Sequence, residues 1–147
     1  MAGLGGTFAA AALPAFGQST TRPRIVWLSP ASRAAGDAFL QPFLEGMTLL
    51  GYAPGRNFGL DELWGDNSLE RLEELAVQAA GSNPTLYLSQ GAALRVVRKL
   101  PGTTPVVFGA SGDLLEAGVA QSLARPGGRF TGITFLAYAL VGKRGEF

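Results

Sequence analysis

Short apolar runs alternate with amphipathic stretches along most of this 147-residue chain. Arg24–Leu28 and Val106–Phe108 are largely apolar runs bounded by turn residues, which is typical of strands buried on both faces. The stretch after the first run repeats apolar residues at the helical period, at positions 39, 40, 43, 44, 47 and 50. Further strands are predicted at 57–64, at 85–88 and between 128 and 135, and further helices at 67–79, at 92–100 and from 113 onward.

This alternation predicts an α/β fold, a doubly wound parallel sheet with helices on both faces. Right-handed crossovers leave few topologies, and the strand order 2-1-3-4-5 is the simplest that places the second strand at an edge. Asp61 and Glu62 lie inside that strand, and charged residues favour a sheet edge over its centre. The length corresponds to one domain with its own core.

The first helix carries signals at both ends. It is predicted to begin near Ser32 or Asp37 and to be capped at its C-terminus by Gly51. If the regular helix begins near Phe39, Pro42 falls in its first turn, where proline costs little.

Two later helices begin with patterns that resemble capping boxes. Asn67 is followed three residues later by Glu70, and Asp113 by Glu116. Asn67 is therefore predicted to cap the second helix. Asp113 either caps its helix alone or also faces a ligand site and pairs with a ligand cation.

The composition excludes several kinds of chemistry. The chain contains no Cys and no His, so it lacks a thiolate nucleophile, the commonest general base and the commonest transition-metal ligand. A net charge of +1 with 16% charged residues shows no electrostatic footprint for nucleic acid. Gly109–Asp113 resembles a hydrolase nucleophile elbow but ends in Asp. We predict a non-enzymatic protein without catalytic residues, metal, cofactor or nucleic-acid partner.

The first 17 residues differ from the rest of the chain. Met1–Gly17 is apolar, uncharged and rich in Ala and Gly, and it ends in Ala15-Phe16-Gly17, a small-x-small cleavage pattern. It resembles the hydrophobic and cleavage regions of a secretory signal, with a truncated basic region because no cationic side chain precedes Arg22. We predict a leader at 1–17, a folded domain at 18–147, and a periplasmic or other extracytoplasmic location if the leader is functional.

Candidate binding residues follow from the predicted topology. In a doubly wound sheet, ligands bind outside the carboxyl ends of the strands, near the switch point between strands one and three. Ser32 and Ser111 lie at predicted helix starts there, where their hydroxyls suit a carboxylate or hydroxyl ligand or act only as caps. Gln90 and Gly91 offer a side-chain amide and an open backbone, or only fill a loop.

Several sequence blocks, in a fixed order, carry a family resemblance. The most specific are Ser122–Gly128, which reads Ser-Leu-Ala-Arg-Pro-Gly-Gly, and Gly51–Asn57, which reads Gly-Tyr-Ala-Pro-Gly-Arg-Asn. The others lie at 24–30, 105–108, 112–113, 131–134 and 142–144. From about residue 24 to residue 144, the chain resembles the ABC-transporter substrate-binding proteins of the family that includes tryptophan- and tyrosine-uptake binding proteins.

The resemblance implies a type I periplasmic-binding-protein fold, in which two Rossmann-like lobes enclose a small solute for delivery to the membrane permease of an ABC importer. The sequence departs from the family at Ala92 and Leu114, where a Pro is usual, and it ends at Phe147 instead of continuing into a hinge. The resemblance therefore implies the N-terminal lobe only, with an exposed cleft face suited to self-association. The ligand-binding residues that it implies are Ser29, Ser32, Gln90, Gly91, Ser111, Asp113, Thr134 and Phe135.

Three other interpretations remain open at this point. A stand-alone signalling or nucleotide-binding domain would need an acidic cluster or phosphate loop, and only Asp113 is available at the strand ends. A hydrolase is disfavoured by the absence of His and Cys. The chain could also be a truncated, non-functional remnant of a binding protein.

Overall fold

Five parallel strands form one sheet in the computed structural model, which describes residues 22–111 and 128–134. The order β2-β1-β3-β4-β5 confirms the predicted doubly wound topology. The helix predicted from Asp113 lies outside the described residues. No helix within the described ranges is long and apolar enough to cross a membrane. The strands are β1 Arg24–Ser29, β2 Gly59–Trp64, β3 Leu86–Gln90, β4 Val106–Ala110 and β5 Phe130–Thr134, and the helices are α1 Arg33–Leu49, α2 Leu69–Gly81 and α3 Ala92–Lys99.

The sheet separates two apolar cores. Successive side chains of a strand point to opposite faces, so Val26 and Leu28 of β1 face α2 and α3, whereas Ile25 and Trp27 face α1. Both faces of β1 are therefore buried, as its continuous apolar sequence predicts. The first core consists of Val26, Leu28, Leu72, Ala76, Ala79, Tyr87, Ala93, Leu94, Val96, Val97, Val106, Phe108 and Ala110. The second consists of Ile25, Trp27, Leu40, Phe58, Trp64 and Leu88.

β2 is an edge strand, as its charged residues predict. Asp61 Oδ2 lies 2.5 Å from Arg24 Nε of β1, and Glu62 Oε2 lies 2.7 Å from Arg33 Nη1 of α1. Side chains on a strand alternate between faces, so these two neighbouring carboxylates form ion pairs on opposite sides of the sheet. Charged side chains at an edge also discourage pairing with a foreign strand.

The placement of Pro42 in the first helical turn is wrong. Ser32 is the N-cap, and its hydroxyl accepts from Ala35 N at 3.4 Å, so α1 starts at Arg33 and Pro42 is interior. An interior proline removes one helical hydrogen bond and crowds the preceding turn. Tertiary packing overrides this local penalty, because Leu40 on the same helix is fully buried in the second core.

The C-terminus of α1 is a Schellman motif. Gly51 has a φ of 84°, its amide donates to Thr48 O at 2.9 Å, and the Tyr52 amide donates to Met47 O at 2.9 Å. This hydrogen-bond pair is the signature of the motif, and the left-handed position suits glycine. The predicted capping role of Gly51 is confirmed.

The N-cap of α2 lies one residue after the predicted position. Ser68 rather than Asn67 is the N-cap, and its hydroxyl accepts from Arg71 N at 3.2 Å. Asn67 instead has a left-handed backbone with a φ of 62°. The hydroxyl of Ser68 satisfies a free amide of the first turn, as a capping side chain does, and this leaves Asn67 for the loop.

Arg129 links the start of β5 to the C-terminal end of α3 through hydrogen bonds. Its Nη2 donates to Val97 O and to Leu100 O, both at 2.8 Å, and its guanidinium lies 5.4 Å from the ring centroid of Phe130. Val97 is the third-last residue of α3, so a cation here also complements the helix dipole. Arg129 thereby connects the strand that carries Thr134 to a buried helix.

α1 packs closely against the sheet at Gly36. A Cβ placed on Gly36 would lie 2.0 Å from Trp64 Cζ3, and the Trp64 ring itself packs 6.4 Å from that of Trp27, centroid to centroid. The indole is therefore confined on the side opposite to the helix. Only a glycine lets α1 approach the sheet this closely.

Gly36→Ala is expected to destabilise the fold by about 1–3 kcal/mol, because Trp64 cannot move away without disturbing the second core. Gly46→Ala is the matched control on the same helix, since a Cβ there meets no atom within 4 Å. The control should stabilise the protein by about 0.5–1 kcal/mol through helix propensity. Urea denaturation monitored by tryptophan fluorescence measures both changes, and an unchanged midpoint for Gly36→Ala would contradict the packing argument.

Candidate functional site

Ser29 and Gln90 meet at the carboxyl ends of β1 and β3, across the predicted switch point. Gln90 Nε2 donates to Ser29 Oγ at 3.4 Å, and Ala31 N donates to the same oxygen at 3.3 Å. Ser29 is fully buried, whereas Gln90 is half-buried. Ser29 thus supports the loop and the glutamine from below, and Gln90 lies nearer the surface of this edge.

Ser32 and Gly91 begin the two helices that flank this point. Ser32 caps α1 through Ala35 N, so its hydroxyl has the structural role that the sequence left open. Gly91 is the N-cap of α3 with a φ of 54°, and a Cβ there would lie 3.8 Å from Pro30 Cγ. The left-handed backbone, rather than lack of space, makes glycine suitable at position 91.

The loop between β2 and α2 holds the loop after β1 in place. The amides of residues 65, 66 and 67 donate to the carbonyl oxygens of residues 29, 31 and 30, at 2.9, 3.3 and 2.7 Å respectively. Asp66 and Asn67 both have positive φ, a conformation that these two residue types tolerate better than other non-glycine residues. Arg71 closes the loop, since its Nε donates to Trp64 O at 3.0 Å and lies 3.3 Å from Asp66 Oδ2.

This supporting loop was not predicted as part of the site. Its Gly-Asp-Asn sequence directly after a strand is a turn signal, which the interpretation of Asn67 as a helix cap obscured. Strained non-glycine backbone is typical of ligand sites and their supports.

The remaining predicted residues lie on the far side of the edge. Ser111 follows β4 and is exposed, and Thr134 ends β5 opposite Ala110 in the strand register. The structure therefore brings Ser111 and Thr134 to neighbouring strand ends. Asp113 and Phe135 lie outside the described residues. Of the eight predicted binding residues, the six described ones all lie at the carboxyl edge.

The helix N-termini give this edge its electrostatic character. α1, α2 and α3 all start here, at Ser32, Ser68 and Gly91, and each N-terminus carries a partial positive charge with free amides. Two carboxylates near these helix starts are engaged, Glu62 with Arg33 and Asp66 with Arg71. The edge therefore suits a hydroxyl or anionic group of a small ligand. Within the described ranges, no group of three metal-ligating side chains is present.

An apolar cavity of about 380 Å³ lies beside this edge, on the α1 face of the sheet. Phe39 and Phe43 of α1 form one wall, and Trp27, Val107 and Ile133 belong to the strands beneath. The cavity adjoins the predicted site at Gln90. The apolar stripe that contains Phe39 predicts burial, yet Phe39 is 60% exposed. Ligand pockets are mostly apolar with a few polar groups, and because Gln90 lines this cavity, the cavity is an apolar extension of the candidate site at the carboxyl edge.

Three solved structures that match the chain have the same fold. A crystal structure of a conserved domain protein from Vibrio cholerae aligns with a TM-score of 0.71 at 24% sequence identity. An ABC domain in complex with L-Trp from Streptococcus pneumoniae aligns at 0.70 and 18% identity. The open, ligand-free form of a substrate-binding protein with adhesive properties from Clostridium difficile aligns at 0.69 and 18% identity. The chain shares its fold with substrate-binding proteins.

These alignments cover most of this chain but less than half of each matched chain. They include 78%, 78% and 83% of this chain and 39%, 39% and 43% of the three matched chains, in the same order. The chain thus spans about two-fifths of the length of the proteins that it matches. No protein-family model matches the sequence, and no curated protein matches it. The Rossmann-like lobe predicted from the sequence is confirmed as a fold.

Ser29→Ala is expected to lower the free energy of unfolding by about 1–2 kcal/mol, because the Ala31 amide and the Gln90 amide lose their shared acceptor. Ser111→Ala is the matched control, since Ser111 is exposed, and its effect should remain within about 0.5 kcal/mol. Equilibrium urea denaturation of both variants gives the comparison. Equal effects of the two substitutions would show that Ser29 does not organise this edge.

Proposed function

We propose that this chain is a solute-binding lobe of an ABC importer and holds a small solute, such as an amino acid, at the carboxyl edge of its sheet. The observation that carries the proposal is the convergence of Ser29 and Gln90 at the switch point, between the N-termini of α1 and α3. Ligands of doubly wound sheets bind at this position. The shared fold with substrate-binding proteins supports the same role.

The proposed contacts divide between backbone and side chains. The free amides at the starts of α1 and α3 would bind a solute carboxylate, as helix N-termini bind anions. The Gln90 amide and the Ser111 hydroxyl would donate to or accept from its polar groups, and Thr134 would complete the wall on the β5 side. Asp113, for which the sequence predicts a position beside Ser111, would pair with a solute ammonium group. Phe135 would contribute an apolar contact next to Thr134.

The proposal includes partners and a location outside the cytoplasm. The leader at 1–17 would direct export, and the membrane permease of the importer would receive the solute. The matched substrate-binding proteins are more than twice as long as the aligned part of this chain. We propose that a second lobe closes over the solute in the complete assembly, and that without it the exposed cleft face is open to self-association. The isolated chain then provides one wall of the site and binds weakly.

Titration of the chain with L-tryptophan, L-tyrosine and other amino acids tests this function. Each 1.4 kcal/mol of binding free energy that a second wall would supply changes the affinity about tenfold, so the chain alone should bind with a dissociation constant weaker than micromolar. Amide chemical shifts should move at Ser32, Gln90, Gly91 and Ser111 when the solute is added. Calorimetry and two-dimensional NMR measure the affinity and the location of binding.

Gln90→Ala should weaken this binding about tenfold, because a hydrogen bond to a charged group of the solute is worth roughly 1.5 kcal/mol or more. Gln41→Ala, an exposed glutamine of α1, is the matched control and should have no effect. Micromolar binding by the chain alone would contradict the need for a second wall. Shifts confined to other parts of the sheet, or no binding of any amino acid, would contradict the proposed site.

A further inference from the structure

A cluster of exposed apolar residues lies at the C-terminal end of α1, at the edge of the sheet opposite to the proposed solute site. Leu49 is 89% exposed, Leu50 is 74% exposed and Tyr52 is 49% exposed. They surround the Schellman turn at Gly51, which two backbone hydrogen bonds close. A cluster of large apolar side chains at an exposed turn is unusual, because scattered single apolar residues are the norm on soluble surfaces.

Two arginines lie near this end of α1, one at the Gly51 turn and one at the turn that follows it. Arg56 Nη2 donates to Gly51 O at 2.5 Å, and Arg22 Nη1 donates to Gly55 O. Neither guanidinium forms an ion pair within the described part of the chain, whereas Arg24, Arg33 and Arg71 do. We call these five residues, Leu49, Leu50, Tyr52, Arg22 and Arg56, the α1-end patch. It combines an apolar tip with positive charge.

We infer that the α1-end patch binds the surface of an anionic phospholipid membrane. Leu49 and Leu50 would insert at the boundary of headgroups and acyl chains, and Tyr52 would lie at headgroup level, where aromatic side chains with a polar end are favoured. Arg22 and Arg56 would contact lipid phosphates. The solute site at the opposite edge then remains free. Glu45, one helical turn before Leu49, carries an opposing charge on α1 and limits the attraction.

A single engineered cysteine tests the orientation, because the chain has no native Cys. Leu50→Cys in the full chain is labelled with an environment-sensitive fluorophore and mixed with vesicles of phosphatidylcholine, with or without phosphatidylglycerol. The emission should shift to the blue with the anionic vesicles and much less with the neutral ones. Val77→Cys, at a 66% exposed apolar position of α2, is the matched control and should not respond. Equal responses at both positions, or none at position 50, would overturn the inference.

Charge variants of the labelled chain test the electrostatic part. Arg56→Gln should weaken binding to the anionic vesicles about fivefold, because the loss of one cation near an anionic membrane surface lowers the binding affinity by about that factor. Glu45→Gln should strengthen it. A blue shift without vesicles that grows with protein concentration would identify a second copy of this chain as the occupant and overturn the lipid assignment.

Discussion

β1 pairs with both β2 and β3, and this central position fixes where the helices and loops of the domain lie. Because β1 lies between them, the crossover to β2 runs in one direction and the later crossovers run in the other. The reversal places α1 on one face of the sheet and α2 and α3 on the other. It also sends the loops after β1 and β3 to opposite faces, and Ser29 and Gln90 meet in the gap between these loops.

The two ends of the sheet then have different characters for a simple geometric reason. Helices that follow parallel strands begin at the carboxyl edge and end at the amino edge. Free amides and capping serines therefore collect at the carboxyl edge, whereas the apolar α1-end patch lies at the amino edge. Solute binding and membrane contact are proposed at opposite edges, so one does not obstruct the other.

Prediction from sequence was successful for features that depend on local patterns. The apolar run of β1 predicts burial on both faces, and the charges of Asp61 and Glu62 place β2 at an edge. Prediction from local conformational preference failed where tertiary packing outweighs that preference. Pro42 is interior because Ser32 begins α1 early and Leu40 is buried in the core.

Sequence patterns alone predict the class of fold, the strand order and the loops at the carboxyl edge, because periodicity, turn residues and handed crossovers permit few alternatives. The contacts between those loops, by contrast, depend on the packing of the whole domain. The three backbone hydrogen bonds from residues 65–67 depend on the separation of two strands, and the exposure of Phe39 and Leu50 depends on which parts of the helical stripe pack against the sheet. Both depend on which residues come together in space, and local sequence patterns do not specify this.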